Sequence, residues 1–254
     1  MTKKTKPILK FIYSNRARWL VDQSFFVIFL FATLLSASFI FIVVGVIFER
    51  GLTPFVSDNF GLGPVNLWSF LTGDIFLTGD TFYSSQYEIG YLIVATLYNA
   101  FLALLIAFPI GVATALFIAK IAPKWLAEIL RTIVEILSSI PSIVFGLFGA
   151  VVILDQVYLF TDSLGIQSRA GLSVLSTILL LAMMIVPTIT ALSEVAIRSV
   201  DTSIEQGALA LGATQTQKNF KVVLGSAKSG IFTSAILGVG RALGEATAVS
   251  LVSG

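Results

Sequence analysis

The chain has 254 residues, 56% of them hydrophobic and only 12% charged, with a mean hydropathy of +0.95. A soluble domain is also about half apolar but about a quarter charged, so there is too little polar surface here for a globule in water, and disorder, collagen and a disulfide scaffold are excluded too. Neither Cys nor His occurs, and the net charge is +2. Thiol nucleophiles, Cys/His zinc sites, Fe–S clusters, His-ligated haem and imidazole bases are therefore ruled out.

A hydrocarbon core about 30 Å thick needs roughly 20 apolar helical residues. Residues 1–24 are a basic N-terminus. Residues 25–48 are free of charge, longer than a signal-peptide core and not followed by a clear cleavage site, so they read as a retained first span. Residues 49–88 carry Asp58, Asp74 and Asp80 among Gly, Pro and aromatics without a sustained apolar period, and read as a loop or small cap. Residues 89–254 form the core domain. Its spans are 91–118 with Pro109 inside, about 133–154 interrupted by Pro141, 172–192 with Pro187 near its end, and 231–252. Ahead of the third span, Glu128, Arg131 and Glu135 recur on one face of an amphipathic helix over 123–136. Proline removes a helix hydrogen bond, and broken helices at membrane depth are tolerated where they line protein or water. Pro109, Pro141 and Pro187 are thus expected helix breaks. The fold class is all-α, a polytopic membrane helix bundle.

Lys/Arg bias sets the orientation. One side collects Lys3, Lys4, Lys6, Lys10, Arg16, Arg18, Lys120, Lys124, Arg131, Arg198, Lys218, Lys221 and Lys228, while the other has Arg50 and Arg169. The N-terminus is expected in the cytoplasm, 49–88 outside, and 194–229 as a cytoplasmic loop. The basic N-terminus can also meet anionic lipid.

Within that loop, Thr202 and Glu205 carry the spacing of a capping box, and Gly212 can end the helix in a left-handed conformation. Thr214 and Gln217 repeat the capping signal, and a second helix is expected to run to about Leu224 and close at Gly225-Ser226. Gly207, Ala208, Ala210, Gly212 and Ala213 are small enough for a partner's backbone to approach closely. Ile204, Ala208 and Leu211 share a face, with Glu205 as an exposed charge. Either an ordinary loop helix or a docking helix fits these residues.

Glu205-Gln-Gly-Ala-Leu-Ala-Leu-Gly212-Ala213 resembles the EAA loop of ABC importer permeases. Two departures are visible: Gln206-Gly207 replaces the family's usual Ala-Ala or Ala-Ser, and Leu224-Gly225 its Leu-Pro. Ser139-Ile-Pro141-Ser142-Ile-Val-Phe-Gly146 is similar to an element of phosphate permeases, and Gly240-Arg241-Ala-Leu-Gly244-Glu245-Ala-Thr-Ala-Val to a stretch of PstC-type subunits. The resemblance covers about residue 87 to the end. It implies the type I ABC importer (MetI-like) permease fold, with five spans visible of an expected six and a chain truncated at its C-terminus. It further implies an inner-membrane subunit importing phosphate by alternating access. Its partners would be a second, PstA-type permease, a PstB-type ATPase dimer and an external PstS-type phosphate-binding protein, with no nucleic acid. Glu205, Gly207, Ala208, Leu211 and Gly212 would couple to the ATPase. The chain needs no cofactor of its own: ATP and Mg belong to the ATPase, and no P-loop sequence occurs.

Arg241 and Glu245 fall inside the fifth span, at i, i+4. Intramembrane charges usually face a cavity or a partner. A guanidinium offers planar, bidentate donation to an oxyanion, with Glu245 holding it or accepting a proton-bearing phosphate oxygen. A mutual salt bridge that only eases insertion is the plainer alternative. Gly240 and Gly244 would let another helix press against this face. Ser138, Ser139 and Ser142 can line the pathway or bond back to their own helix. A permease for another oxyanion, a channel, and an Asp- or Ser/Lys-based intramembrane enzyme are the competing functions.

Overall fold

A computed structural model describes residues 15–56, 64–77, 86–166 and 170–253. Lys3, Lys4, Lys6, Lys10, Asp58, Asp80 and Arg169 lie outside the described residues, as do the side chains of Arg16 and Arg18. The chain divides into two compact units after Gly90.

In the first unit, α1 (Asn15–Val56) is one helix of 42 residues. Apolar residues surround it rather than forming a stripe, and none of its most apolar window is buried, the pattern of a helix solvated by hydrocarbon. The short helix α2 (Leu67–Thr72) is capped by Asn66, whose side chain accepts the Trp68 N–H at 2.8 Å. Strands β1 (Phe76–Leu77) and β2 (Gln86–Tyr87) pair antiparallel, Phe76 opposite Tyr87. The Ile75 N–H donates to Glu88 Oε2 at 2.9 Å, and the Phe55 and Phe70 rings meet edge to face at 5.0 Å. These pieces occupy the segment expected to be a loop or small cap.

The second unit holds α3 (Gly90–Leu116) from its second residue onward, continued by a π turn at Phe117–Ile121. Then come α4 (Lys124–Ser139) and α5 (Ser142–Phe148), the latter running through a π segment, Gly149–Ile153, into α6 (Leu154–Ser163). Helix α7 (Val174–Arg198) is followed by α8 (Thr202–Ala210) and α9 (Gln215–Gln217). A π turn at Lys218–Val223 leads from α9 into α10 (Leu224–Gly244), and α11 (Ala246–Ser250) ends the described helices.

Several boundaries differ from the sequence expectation. Pro109 and Pro187 do not break their helices: α3 and α7 run through them, because one lost ladder bond leaves the other turns intact. Pro141 alone coincides with an interruption, in extended backbone between α4 and α5. The third long apolar helix is Ser142–Ser163 rather than 133–154, so Pro141 precedes it. Gly225-Ser226 does not close a helix either. Residues Gln215–Gly244 form one continuous stretch of 30 residues, because Val223 and Ala227 on either side are buried against neighbours and hold the helix through the weak dipeptide.

Helix α7 is the central element, with 61% of its most apolar window buried. Ala100, Ala103, Ala107, Gly111 and Ala115 make a small-residue stripe on α3, and such stripes let helix backbones approach closely. A Cβ on Gly111 would stand 2.8 Å from Ile189 Cγ2, and one on Gly238 3.0 Å from Ile189 Cγ1. Ile189 of α7 is therefore clasped between a glycine of α3 and a glycine of α10. The buried hydroxyls of Ser193 and Ser234 join α7 to α10 at 2.8 Å, an interhelical bond well suited to an apolar medium.

Candidate functional site

Contacts along α7 and α10 fix their register as antiparallel: Ala196 meets Gly230, Ser193 meets Ser234, and Ile189 meets Gly238. The next level brings Arg241 to Thr188, where Arg241 Nη1 donates to Thr188 Oγ1 at 2.8 Å. Arg241 Nε lies 3.7 Å from Glu245 Oε1. Thr188 is fourteen residues after Val174 and ten before Arg198, so by helix rise it is about 21 Å from one end of α7 and about 15 Å from the other. The charged pair sits deep in the bundle.

Glu245 also marks where the helix gives way. Its backbone leaves the helical region (φ −85°, ψ 82°), its N–H reaches Ala242 O only at 3.5 Å, and α11 restarts at Ala246. Gly146 of α5 packs against Ala248 and Leu251, and Gly149 against Val252. That parallel register, carried back one turn, sets Ser142 and the Pro141 interruption level with Gly244 and Glu245. Phe145, Met184 and Ala248 close the layer on one side as an apolar cluster. Two helix interruptions, one guanidinium, one carboxylate and the Thr188 hydroxyl thus share one level.

Not every expected pathway residue joins it. Ser138 Oγ and Ser139 Oγ donate back to Glu135 O and Ile136 O at 2.9 and 2.8 Å, the local alternative to lining a path. Ser142 is half-buried, and no hydrogen bond links Ser139 or Ser142 to Arg241 or Glu245 among the described residues. Gly240 and Gly244 are exposed, and a Cβ on either would meet nothing within 4 Å. Of the three glycines beside Arg241, it is Gly238 that packs closely within this chain, against Ile189. Thr188 was not foreseen, because a threonine following a proline in an apolar run reads as another helix residue.

A second set of charges lies at the end of the bundle that carries α8. Glu194, expected to begin a loop, is in the last turns of α7 and only 4% exposed. Its Oε1 accepts from Arg131 Nη2 at 2.7 Å, Arg131 Nε at 3.1 Å and Arg198 Nε at 2.7 Å. Arg198 Nη2 also donates to Ile118 O at 3.3 Å, in the π turn after α3. Glu194 raises the Arg131 guanidinium above its ordinary value, through hydrogen bonding first and its charge second.

Helix α8 departs from expectation at its start and agrees at its end. The N-cap is Asp201, which accepts the Ser203 N–H at 2.8 Å, so the Thr202–Glu205 box does not form. Glu205 is instead drawn inward, paired with Lys120 and, at 3.2 Å, with Lys218. It is not the exposed charge expected: its side chain is 12% exposed. Burial pushes its carboxyl up, but hydrogen bonds from the two lysines, and their charge, outweigh that and hold it below the ordinary value. Gly212 has φ +84°, the Gly212 N–H donates to Leu209 O and the Ala213 N–H to Ala208 O, a Schellman ending. Thr214 and Gln217 form the expected reciprocal capping box. Gly207 is exposed with open space above it, Ala208 is half-buried, and Leu211 is 91% exposed at the tip.

Among the described residues, five helices are long and apolar enough to cross a membrane. The probable ABC transporter permease protein YqgH of Bacillus subtilis is 36% identical over 201 residues, covering 76% of this chain and 63% of that protein. The phosphate transport system permease protein PstC of Pasteurella multocida is 34% identical over 181 residues, covering 64% and 55%. PstC 1 of Mycobacterium tuberculosis is 36% identical over 177 residues, covering 64% and 52%. The chain thus spans between about half and two thirds of the length of these relatives. Residues 107–254 match the family model described as "binding-protein-dependent transport system inner membrane component". That match takes in the polar layer, the Glu194 cluster and α8 alike, and over more than half of its length the chain belongs to this family of inner-membrane transport components.

Proposed function

We propose that this chain is a PstC-type permease subunit of an ATP-driven importer and that it moves inorganic phosphate by alternating access. The observation that carries the reading is the Arg241 layer: a permanently charged guanidinium deep in an apolar bundle, backed by Thr188 and Glu245 and set beside two helix interruptions. Only one Arg241 hydrogen bond forms among the described residues, which leaves donors for the planar recognition of a tetrahedral oxyanion. Resemblance to PstC proteins supports phosphate as that anion.

In this reading the N-terminus and α8 are cytoplasmic. The exposed α8 surface, with Ile204, Leu209 and Leu211, docks on a PstB-type ATPase dimer that binds ATP and Mg. A PstA-type permease completes the membrane path, and a PstS-type protein delivers phosphate from outside. ATPase closure displaces α8, and the bundle rearranges so that the Arg241 layer opens inward. Glu245 positions Arg241 or accepts a hydrogen bond from a protonated phosphate oxygen. A permease for another oxyanion is the second reading, since the guanidinium chemistry is shared.

The test is radiolabelled phosphate uptake by the assembled transporter in liposomes, with sulfate as competitor. Arg241→Lys keeps the charge but loses the fork and should cut uptake sharply. Near-normal phosphate uptake by Arg241→Ala overturns the proposal, and preferential sulfate uptake selects the second reading.

A further inference from the structure

The link between α8 and the long helices is more than its covalent connections. Glu205 sits in the first turns of α8, largely shielded from solvent, and holds two lysines at once. Lys120 belongs to the π turn that ends α3, and Lys218 opens the π turn that leads into α10. Those turns are points where the regular ladder is already altered, with Ala122 N–H donating to Phe117 O and Leu224 N–H to Asn219 O. Such π turns are the less regular and more readily reshaped parts of a helix. The first is also gripped from the other side, since Ile118 O accepts from Arg198. In the second, the Asn219 side chain is buried, 7% exposed.

We propose that the Lys120–Glu205–Lys218 triad is the strut through which displacement of α8 reaches α3 and α10, with Glu205 and Lys120 as positioning residues. The inference rests on the permease reading above and adds a load path to it. All three side chains are 15% or less exposed, so the strut is shielded from water and salt in a way that a surface pair is not. Displacement of α8 then pulls on both π turns together. One end of the path is α3, and the other is the helix that carries Arg241. Cutting Lys120 leaves α8 joined to the bundle through the chain itself and through Lys218, so the docking surface survives while the transmission weakens.

The experiment uses the complete transporter in lipid nanodiscs and in liposomes, with Lys120→Met, Lys120→Arg and Lys218→Met. Amide hydrogen exchange of residues 202–210 reads the strut directly and independently of transport. Lys120→Met should speed exchange there, and Lys120→Arg should restore it. In liposomes, phosphate moved per ATP hydrolysed should fall by about three- to tenfold in Lys120→Met, the size expected of a residue that carries coupling without touching either ligand. The ATPase should still co-purify, and Lys218→Met should show a smaller fall. Unchanged exchange in both methionine variants overturns the strut, as does an unchanged transport-to-hydrolysis ratio in an assembled Lys120→Met transporter. If the unaltered transporter moves no phosphate, the substrate reading fails, while the exchange measurement still decides the strut.

Discussion

The two polar regions of the bundle are built on opposite terms. At the α8 end each buried carboxylate is matched twice: Glu194 by Arg131 and Arg198, Glu205 by Lys120 and Lys218. In the Arg241 layer one cation faces one carboxylate at 3.7 Å, with a neutral hydroxyl as its only hydrogen-bond acceptor among the described residues. Surplus cations make the first region a set of closed joints, since removing a carboxylate there strands like charges together. The second region is under-filled, and a charge deep in an apolar bundle with unspent donors is arranged for something that comes and goes. The difference separates groups that hold the machine together from the group proposed to handle its cargo.

The sharpest way to break this comparison is to delete one charge from each region. Arg241→Ala should nearly abolish phosphate uptake while leaving the thermal midpoint of the purified protein almost unchanged. Glu194→Ala should do the reverse in emphasis. It leaves Arg131 and Arg198 facing one another without their shared acceptor and should cost about 2 kcal/mol. That is below the range of about 3–5 kcal/mol for breaking fully buried pairs, because the two guanidiniums are 38% and 42% exposed and water compensates part of the loss. Thermal unfolding in detergent measures it. A wild-type midpoint for Glu194→Ala, or a large fall for Arg241→Ala, would erase the distinction.

How far these regions were legible in the sequence depends on how local their causes are. The Gly212 ending and the Thr214–Gln217 box were legible because every bond lies within six residues. Long charge-free runs announced spans on composition alone. The ends of those spans were harder, because Gly225-Ser226 carries a local stop signal that the burial of Val223 and Ala227 overrides. Asp201 and Thr202 are adjacent residues competent to cap, and spacing favoured the wrong one. For Glu194 the i, i+4 partner Arg198 lies on the same helix, but Arg131 and, for Glu205, Lys120 stand 63 and 85 residues away, and no periodicity of one helix reports those pairings. Arg241 and Glu245 were visible because charge in an apolar run needs no partner to be conspicuous.

Thr188 gives an intermediate test, because it touches the open region without carrying charge. Thr188→Val keeps the shape and removes the acceptor that aligns Arg241. A hydrogen bond to a charged group is worth about 1.5–3 kcal/mol, and only the part that differs between free and anion-bound Arg241 reaches transport, so phosphate uptake should fall about tenfold. Thr188→Ser keeps the hydroxyl and should recover most of it. Equal uptake by the valine and serine variants would mean that Arg241 needs no neutral partner, and the layer would then be a plain ion pair.

The smallest expected effect concerns acidity at the closed end. Glu205 is held below its ordinary value of 4.5 by Lys120 and Lys218 despite its burial. A carboxylate whose folded value is depressed contributes stability that is complete above the unfolded value and is lost as pH falls through the folded one. The tether of α8 should therefore be constant from pH 8 down to about pH 5 and loosen only below the ordinary carboxylate value. Hydrogen exchange of residues 202–210, corrected for the intrinsic pH dependence of amide exchange, follows this directly. Lys120→Met removes one of the two lowering charges while the burial remains, so its loosening should begin at a higher pH than in the unaltered protein. A tether that loosens near neutrality in the unaltered chain would place Glu205 among weakly held charges and move it out of the closed region, since a carboxylate matched by two lysines has no reason to take up a proton there.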